Sequence, residues 1–210
     1  MHTQNRESQT NLTPAATLEL LRNGNARFTD NLRTHHDLLE QVNITSTGQF
    51  PFAVILSCID SRASAELIFD QGLGDIFSVR VAGNVSNDDV LGSMEFACAL
   101  AGAKLVVVLG HSSCGAVKGA CSGAEMGHLT GLLSKIRPSV EEVRKFTNLS
   151  GDAFVQEVAD RNVVEVVRQI RGRSHVLDTM ISEGRVGIVG GMYSVSTGVV
   201  EFSELVCGGA

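Results

Sequence analysis

The chain has 210 residues, of which 43% are hydrophobic and 19% charged, with a formal net charge of −6. That length and apolar content bury the core of one sizeable α/β domain and exclude a disordered chain. Mild acidity without a basic run excludes a phosphate-backbone binder, so no nucleic-acid partner is expected; no apolar stretch approaches the ~20 residues that cross a bilayer, so no membrane partner is expected either.

Residues 1–12 read as a flexible N-terminal arm, and 13–210 as a single α/β domain. The start, Met1 to Pro14, is polar and has no apolar signal core, so a cytoplasmic protein is expected. Thr13 suits an N-cap and Pro14 the first helical position, which predicts a helix with Leu18, Leu21 and Phe28 on one face. Asn31 to Phe50 is polar and mixed, a short helix with loops. Phe52 to Leu56 is a continuous apolar run, a strand buried on both faces. Ala63 to Gln71 has helical character, and Ile76 to Val81 is a second strand. Asp88 or Asp89 caps a helix running to about Ala101, closed by Gly102.

Leu105 to Leu109 is the third strand. Helices are expected over 116–121, 129–146 and 151–171, then a fourth strand over 186–190 and an edge strand within 199–205. Strands alternating with helices mean right-handed crossovers. The expected fold is therefore α/β: a mostly parallel central sheet of about four strands plus an edge strand, flanked by helices, with an N-terminal helical arm.

Five cysteines, at 58, 98, 114, 121 and 207, are odd in number and widely spaced, so reduced thiols or a metal site are expected rather than a disulfide framework. Two segments carry chemistry: Ser57-Cys58-Ile59-Asp60-Ser61-Arg62 after the first strand and His111-Ser112-Ser113-Cys114-Gly115 after the third. Both sit at carboxyl ends of parallel strands, where open α/β sheets place their ligand sites. Thiolates and imidazole are the ligands zinc prefers, and a catalytic site uses three of them and leaves one position open. Cys58, His111 and Cys114 make such a set for Zn2+. Asp60 then either accepts a hydrogen bond from a bound water, with Arg62 holding the carboxylate, or fills the fourth position itself.

Cys98, Cys121 and Cys207 read as structural thiols, and His2, His35, His36, His128 and His175 as surface or satisfied core residues. Gly110 to Lys118 lacks the Gly-Lys-Ser/Thr ending of a phosphate loop, and Ser64 stands where a Cys-x5-Arg phosphatase loop needs arginine.

At these residues the chain resembles the β-class carbonic anhydrases, whose two signatures match Cys58–Arg62 and His111–Gly115. The likeness extends over roughly 14–205 through Ile68–Gly72, Gly74–Arg80, Ala82-Gly83-Asn84, Ser93–Ala97 and Gly190–Tyr193. The resemblance implies hydration of carbon dioxide to bicarbonate and a proton, with zinc on Cys58, His111 and Cys114 and a catalytic pair in Asp60 and Arg62. It implies that Gln49, commonly reaching across a dimer interface, and the Gly115 amide bind substrate. It also implies a homodimer or homotetramer in which the helix near 14–29 embraces a partner.

The chain departs from the family in having Val81 where many members have Asn. Ile55 stands where a bicarbonate-regulated closed form uses Trp, although Arg80 and Tyr193 are present. The open form is therefore expected, with zinc-bound hydroxide as the nucleophile and Asp60 ligation confined to low pH. Two other functions fit the same residues: hydrolysis of carbonyl sulfide or carbon disulfide, and a non-catalytic zinc or redox sensor.

Overall fold

The computed structural model describes residues 3–208. Its sheet has strand order β2-β1-β3-β4-β5, with β1 (Ala53–Ser57), β2 (Ile76–Arg80), β3 (Leu105–His111) and β4 (Gly187–Tyr193) parallel and β5 (Val200–Phe202) antiparallel to β4. This is the expected fold class. The chain leaves β1 toward β2 on one side and leaves β3 toward β4 on the other. The connections diverge between β1 and β3, and a crevice opens at the carboxyl ends of those two strands.

Two-residue alternation sorts the strand side chains onto two faces. Val54, Leu56, Val106, Val108 and Ile188 face a cluster with Val90, Met94, Val166, Ile170 and Leu177. These come from α5 (Asp88–Glu95), α9 (Gly151–Arg173) and α10 (His175–Ser182). Ala53, Ile55, Leu105, Val107 and Val189 face the opposite cluster, which contains Leu18 and Leu21 of α2 (Pro14–Thr29) and Phe69 beyond α4 (Ala65–Ile68). Helix α2 lies on its own sheet, where its Leu18/Leu21 stripe finds an apolar face. A third cluster joins Cys58 and Cys114 to Val117, Ile136 and Val140 at the carboxyl end of the sheet. Its helices are α6 (Gly115–Ser122), α7 (Gly127–Leu133) and α8 (Arg137–Phe146).

Helix α9 lies directly on β3 and β4 because two glycines give it room. A Cβ on Gly110 would stand 2.5 Å from Val163 Cγ2, and one on Gly190 2.8 Å from Val163 Cγ1.

Several boundaries differ from the sequence reading. The segment read as a flexible arm contains α1 (Arg6–Asn11), opened by a reciprocal Asn5/Ser8 capping box. The buried Gln9 ties this helix to the body: its Nε2 donates to the Pro51 and Ala101 carbonyls at 2.7 and 2.8 Å. The short helix expected within 31–50 is present as α3 (Leu38–Thr45), capped by Asp37. The helix over 63–71 shortens to the single turn α4. Asn87, not Asp88 or Asp89, caps α5 by accepting from the Val90 amide, and the two aspartates occupy the first turn. The expected 129–146 helix is two, with Pro138 in the first turn of the second. Helix α10 was absent from the sequence reading, although Ser174 caps it by accepting from the Leu177 amide.

Candidate metal centre

Cys58 follows the last residue of β1, His111 ends β3, and Cys114 caps the start of α6. Parallel register sets Ser57 against Leu109, so these strand ends arrive together. Their ligand atoms, two Sγ and one imidazole nitrogen, all lie within 4.8 Å of one another, and all three residues are buried. Ser113 between them has φ +55°, the left-handed turn that brings His111 and Cys114 round to one point.

The imidazole is oriented by its backbone. His111 Nδ1 lies 2.9 Å from the Ser112 carbonyl, so the tautomer that donates there leaves an Nε2 lone pair. That Nε2 is buried and has no hydrogen-bond partner among the described residues. Buried polar atoms are ordinarily satisfied, so this nitrogen is suited to a ligand that the protein itself does not provide. Ser112 is fixed in turn: its amide donates to the Tyr193 carbonyl, and its Oγ accepts from the Val195 amide at 3.0 Å.

The two thiols are electrostatically tied to one another. The Cys58 thiol is pulled down to about 4, chiefly by the hydrogen bond from Cys114, against burial and with help from His111 and the Gly83 amide. That same bond and burial push the Cys114 thiol up. Burial works to lower His111, but the facing Cys58 sulfur outweighs it and raises it. Two sulfurs and an imidazole, converging in a buried site with one thiol already near ionisation, fit a zinc-type cation.

Asp60 stands at the edge of this triad, its Oδ2 4.0 Å from His111 Nε2. Arg62 grips the carboxylate: Nε donates to Oδ1 at 3.0 Å, Nη2 to Oδ2 at 2.8 Å, and the Arg62 amide to Oδ1 at 2.9 Å. That grip holds the Asp60 carboxyl far below the usual carboxylate range. Arg80 steadies the loop from β2, donating through Nε to the Cys58 carbonyl at 3.0 Å and through Nη2 to the Asp60 carbonyl at 2.6 Å.

The carbonic anhydrase family profile matches residues 53–200. A carbonic anhydrase of Mycolicibacterium smegmatis is 38% identical over 91% of this chain and 94% of its own length. Carbonic anhydrase 2 of Mycobacterium tuberculosis is 39% identical over 90% and 92%. The crystal structure of the β-carbonic anhydrase CafA of Aspergillus fumigatus matches with a TM-score of 0.72 at 28% identity, covering 90% of each chain. The chain belongs to the β-class carbonic anhydrase family.

In this β-carbonic anhydrase the structure brings together Cys58, His111, Cys114, Asp60 and Arg62. Gly115 opens α6 beside Cys114, exposed and with no atom within 4 Å of where a Cβ would stand. Gln49 is not part of the cluster. It is exposed and precedes β1, whereas Cys58 follows the last residue of that strand. Ile55 is in the core, and Tyr193 pairs with His111 across β3 and β4. Among the histidines outside the cluster, His35, His128 and His175 are exposed, and His36 lies 3.4 Å from Asp70. His2 falls outside the described residues.

Cys98 is core, its thiol pushed up to about 12 by burial. Cys121 is half-buried and Cys207 exposed, and neither is in a disulfide. Sequence reasoning missed what Gly83 and Asn162 do. Gly83 donates its amide to Cys58 Sγ at 3.3 Å, and Asn162 donates to the Gly83 carbonyl at 3.0 Å. The signal was an amide side chain at position 162 within an apolar helix face.

Proposed function

We propose that this carbonic anhydrase binds zinc through Cys58, His111 and Cys114 and hydrates carbon dioxide reversibly to bicarbonate and a proton. The observation that carries the reading is the buried two-sulfur, one-imidazole cluster, with its unpartnered His111 Nε2, beside a carboxylate held by arginine. Zinc bound there supplies a Lewis acid that lowers the pKa of a coordinated water to ~7, which makes a nucleophile available at neutral pH.

The chain's own residues orient and protect that chemistry. Asp60 stays ionised and accepts the hydrogen bond of the attacking oxygen, which turns a lone pair toward the carbon. Arg62 occupies both Asp60 oxygens, which favours the open arrangement over Asp60 as a fourth ligand. His111 Nδ1, turned to the Ser112 carbonyl, keeps Nε2 facing the metal position. The Gly115 amide, at the start of α6, is placed to bind substrate oxygen. One water and one carbon dioxide give one bicarbonate and one proton, which leaves to solvent.

Gln49 serves a site only if a second copy brings it there, which agrees with a homodimer or homotetramer. Exposed Leu38, Leu39 and Val42 on α3 support such an assembly. No helix among the described residues is long and apolar enough to cross a membrane. Five free cysteines suit the reducing cytoplasm.

The test is metal analysis joined to a stopped-flow hydration assay. The protein is expected to carry zinc and to hydrate carbon dioxide, while Asp60→Asn keeps the metal and loses rate. A zinc-loaded protein without hydration activity sinks the enzymatic reading, and an Asp60→Asn variant at full rate removes the role assigned to that carboxylate.

A further inference from the structure

One buried chain of hydrogen bonds ends on a ligand sulfur. Asn162 lies on α9 and is 1% exposed, in a stretch of the helix where Val158, Ala159, Val163 and Val166 are also buried. An amide placed on an apolar helix face is costly unless it is hydrogen-bonded. Its Nδ2 donates to the Gly83 carbonyl at 3.0 Å, and the Gly83 amide donates to Cys58 Sγ at 3.3 Å. Gly83 has φ +68°, a conformation glycine adopts readily, and a Cβ there would stand 2.7 Å from Ile136 Cδ1. The residue that touches the sulfur is therefore held through its carbonyl by a side chain from a helix distant in sequence.

We propose that Asn162 is a positioning residue of the metal centre: through Gly83 it fixes the amide that hydrogen-bonds the Cys58 sulfur, and so governs how tightly the metal is held. The inference rests on the zinc reading above. An N–H directed at a thiolate withdraws electron density from sulfur and fixes its lone-pair direction. Loss of such outer partners typically weakens metal binding about 10–100-fold.

Asn162→Leu keeps most of the volume and removes the donor; Asn162→Ser shortens it. Val166→Ala is the control, a buried α9 residue in the core cluster with Val54, Val106 and Ile188. Zinc affinity is read by competition with a chromophoric chelator, and sulfur donor strength by the thiolate-to-metal charge-transfer band of the cobalt-substituted protein. The Asn162 variants should bind zinc about 10–100-fold more weakly and shift the band to longer wavelength. Val166→Ala should lose thermal stability and change neither readout.

Asn162 variants with wild-type affinity and an unmoved band overturn the inference and leave the zinc reading intact. A wild-type chain that takes up no metal overturns the zinc reading itself. Should both Asn162 variants fail to fold, the wild-type protein loaded with cadmium-113 decides. Scalar coupling from the Gly83 amide proton to cadmium supports the inference, and its absence overturns it.

Discussion

Single side chains at the cluster separate holding a metal from using it. His111→Ala removes the one imidazole of the triad, so metal content measured by mass spectrometry should fall to background and activity with it. Arg62→Ala leaves all three ligands and frees Asp60 to turn. Metal content should stay, and kcat/KM for hydration should drop by about 10²-fold, the scale of a misplaced orienting group; an unchanged value would show that Asp60 needs no clamp.

Asp70 tests electrostatics away from the cluster. Burial works to raise its carboxyl, but Arg27 Nε at 2.6 Å and the Thr34 amide and hydroxyl at 3.0–3.2 Å outweigh it and hold it below the usual range. Because the folded value is depressed, the unfolded state takes up the proton first. The stabilisation is full above the unfolded pKa of about 3.9 and is lost as pH falls through the folded value. Asp70→Asn should therefore cost about 2–4 kcal/mol at pH 7, with the gap to wild type closing below pH ~4 in urea titrations. Much of this residue-scale chemistry was legible, because Cys58, His111, Cys114, Asp60 and Arg62 fall in two short segments whose residue types declare their use. Asp70 was not: its partners come from the last turn of α2 and the loop after it, far along the chain from Asp70.

Elements follow their local signals where burial reinforces them. The Thr13 cap and Pro14 predicted the start of α2, and the Thr13 hydroxyl accepts from the Ala16 amide at 3.2 Å. Leu21 of this helix is fully buried against the sheet. Leu21→Ala should cost about 2–5 kcal/mol of unfolding free energy, read from denaturant midpoints. A loss well under 1 kcal/mol would mean that α2 does not pack on its own sheet in solution. Helix α1 escaped the sequence because it depends on distant partners. Helix α1 has only six residues, too few to persist alone, and is held by Gln9 bonding to two remote carbonyls. The turn at α4 and the break at Pro138 shortened two expected helices, since periodicity identifies an element better than its ends.

At the scale of the whole molecule, strand order decides where the chemistry sits. Continuous apolar runs and intervening helical patterns identified the four parallel strands, and with them the α/β class. The contact of α9 with the sheet depends on glycines whose use was visible only in three dimensions. Gly110→Ala places a methyl against Val163 and Met192 and should cost about 1–3 kcal/mol, or more if the helix cannot shift, measured as a lowered thermal midpoint.

Local chemistry, readable along the chain, determined the class of fold, the segments that meet at the Cys58, His111 and Cys114 cluster, and the family, because hydrophobic period and residue type are properties of short segments. Tertiary structure decided that α2 packs on its own sheet, that Gln49 lies outside the Cys58 cluster, and that Asn162 bonds the Gly83 whose amide reaches the Cys58 sulfur. These relations join residues far apart in sequence, and only the packing of strands and helices brings them together.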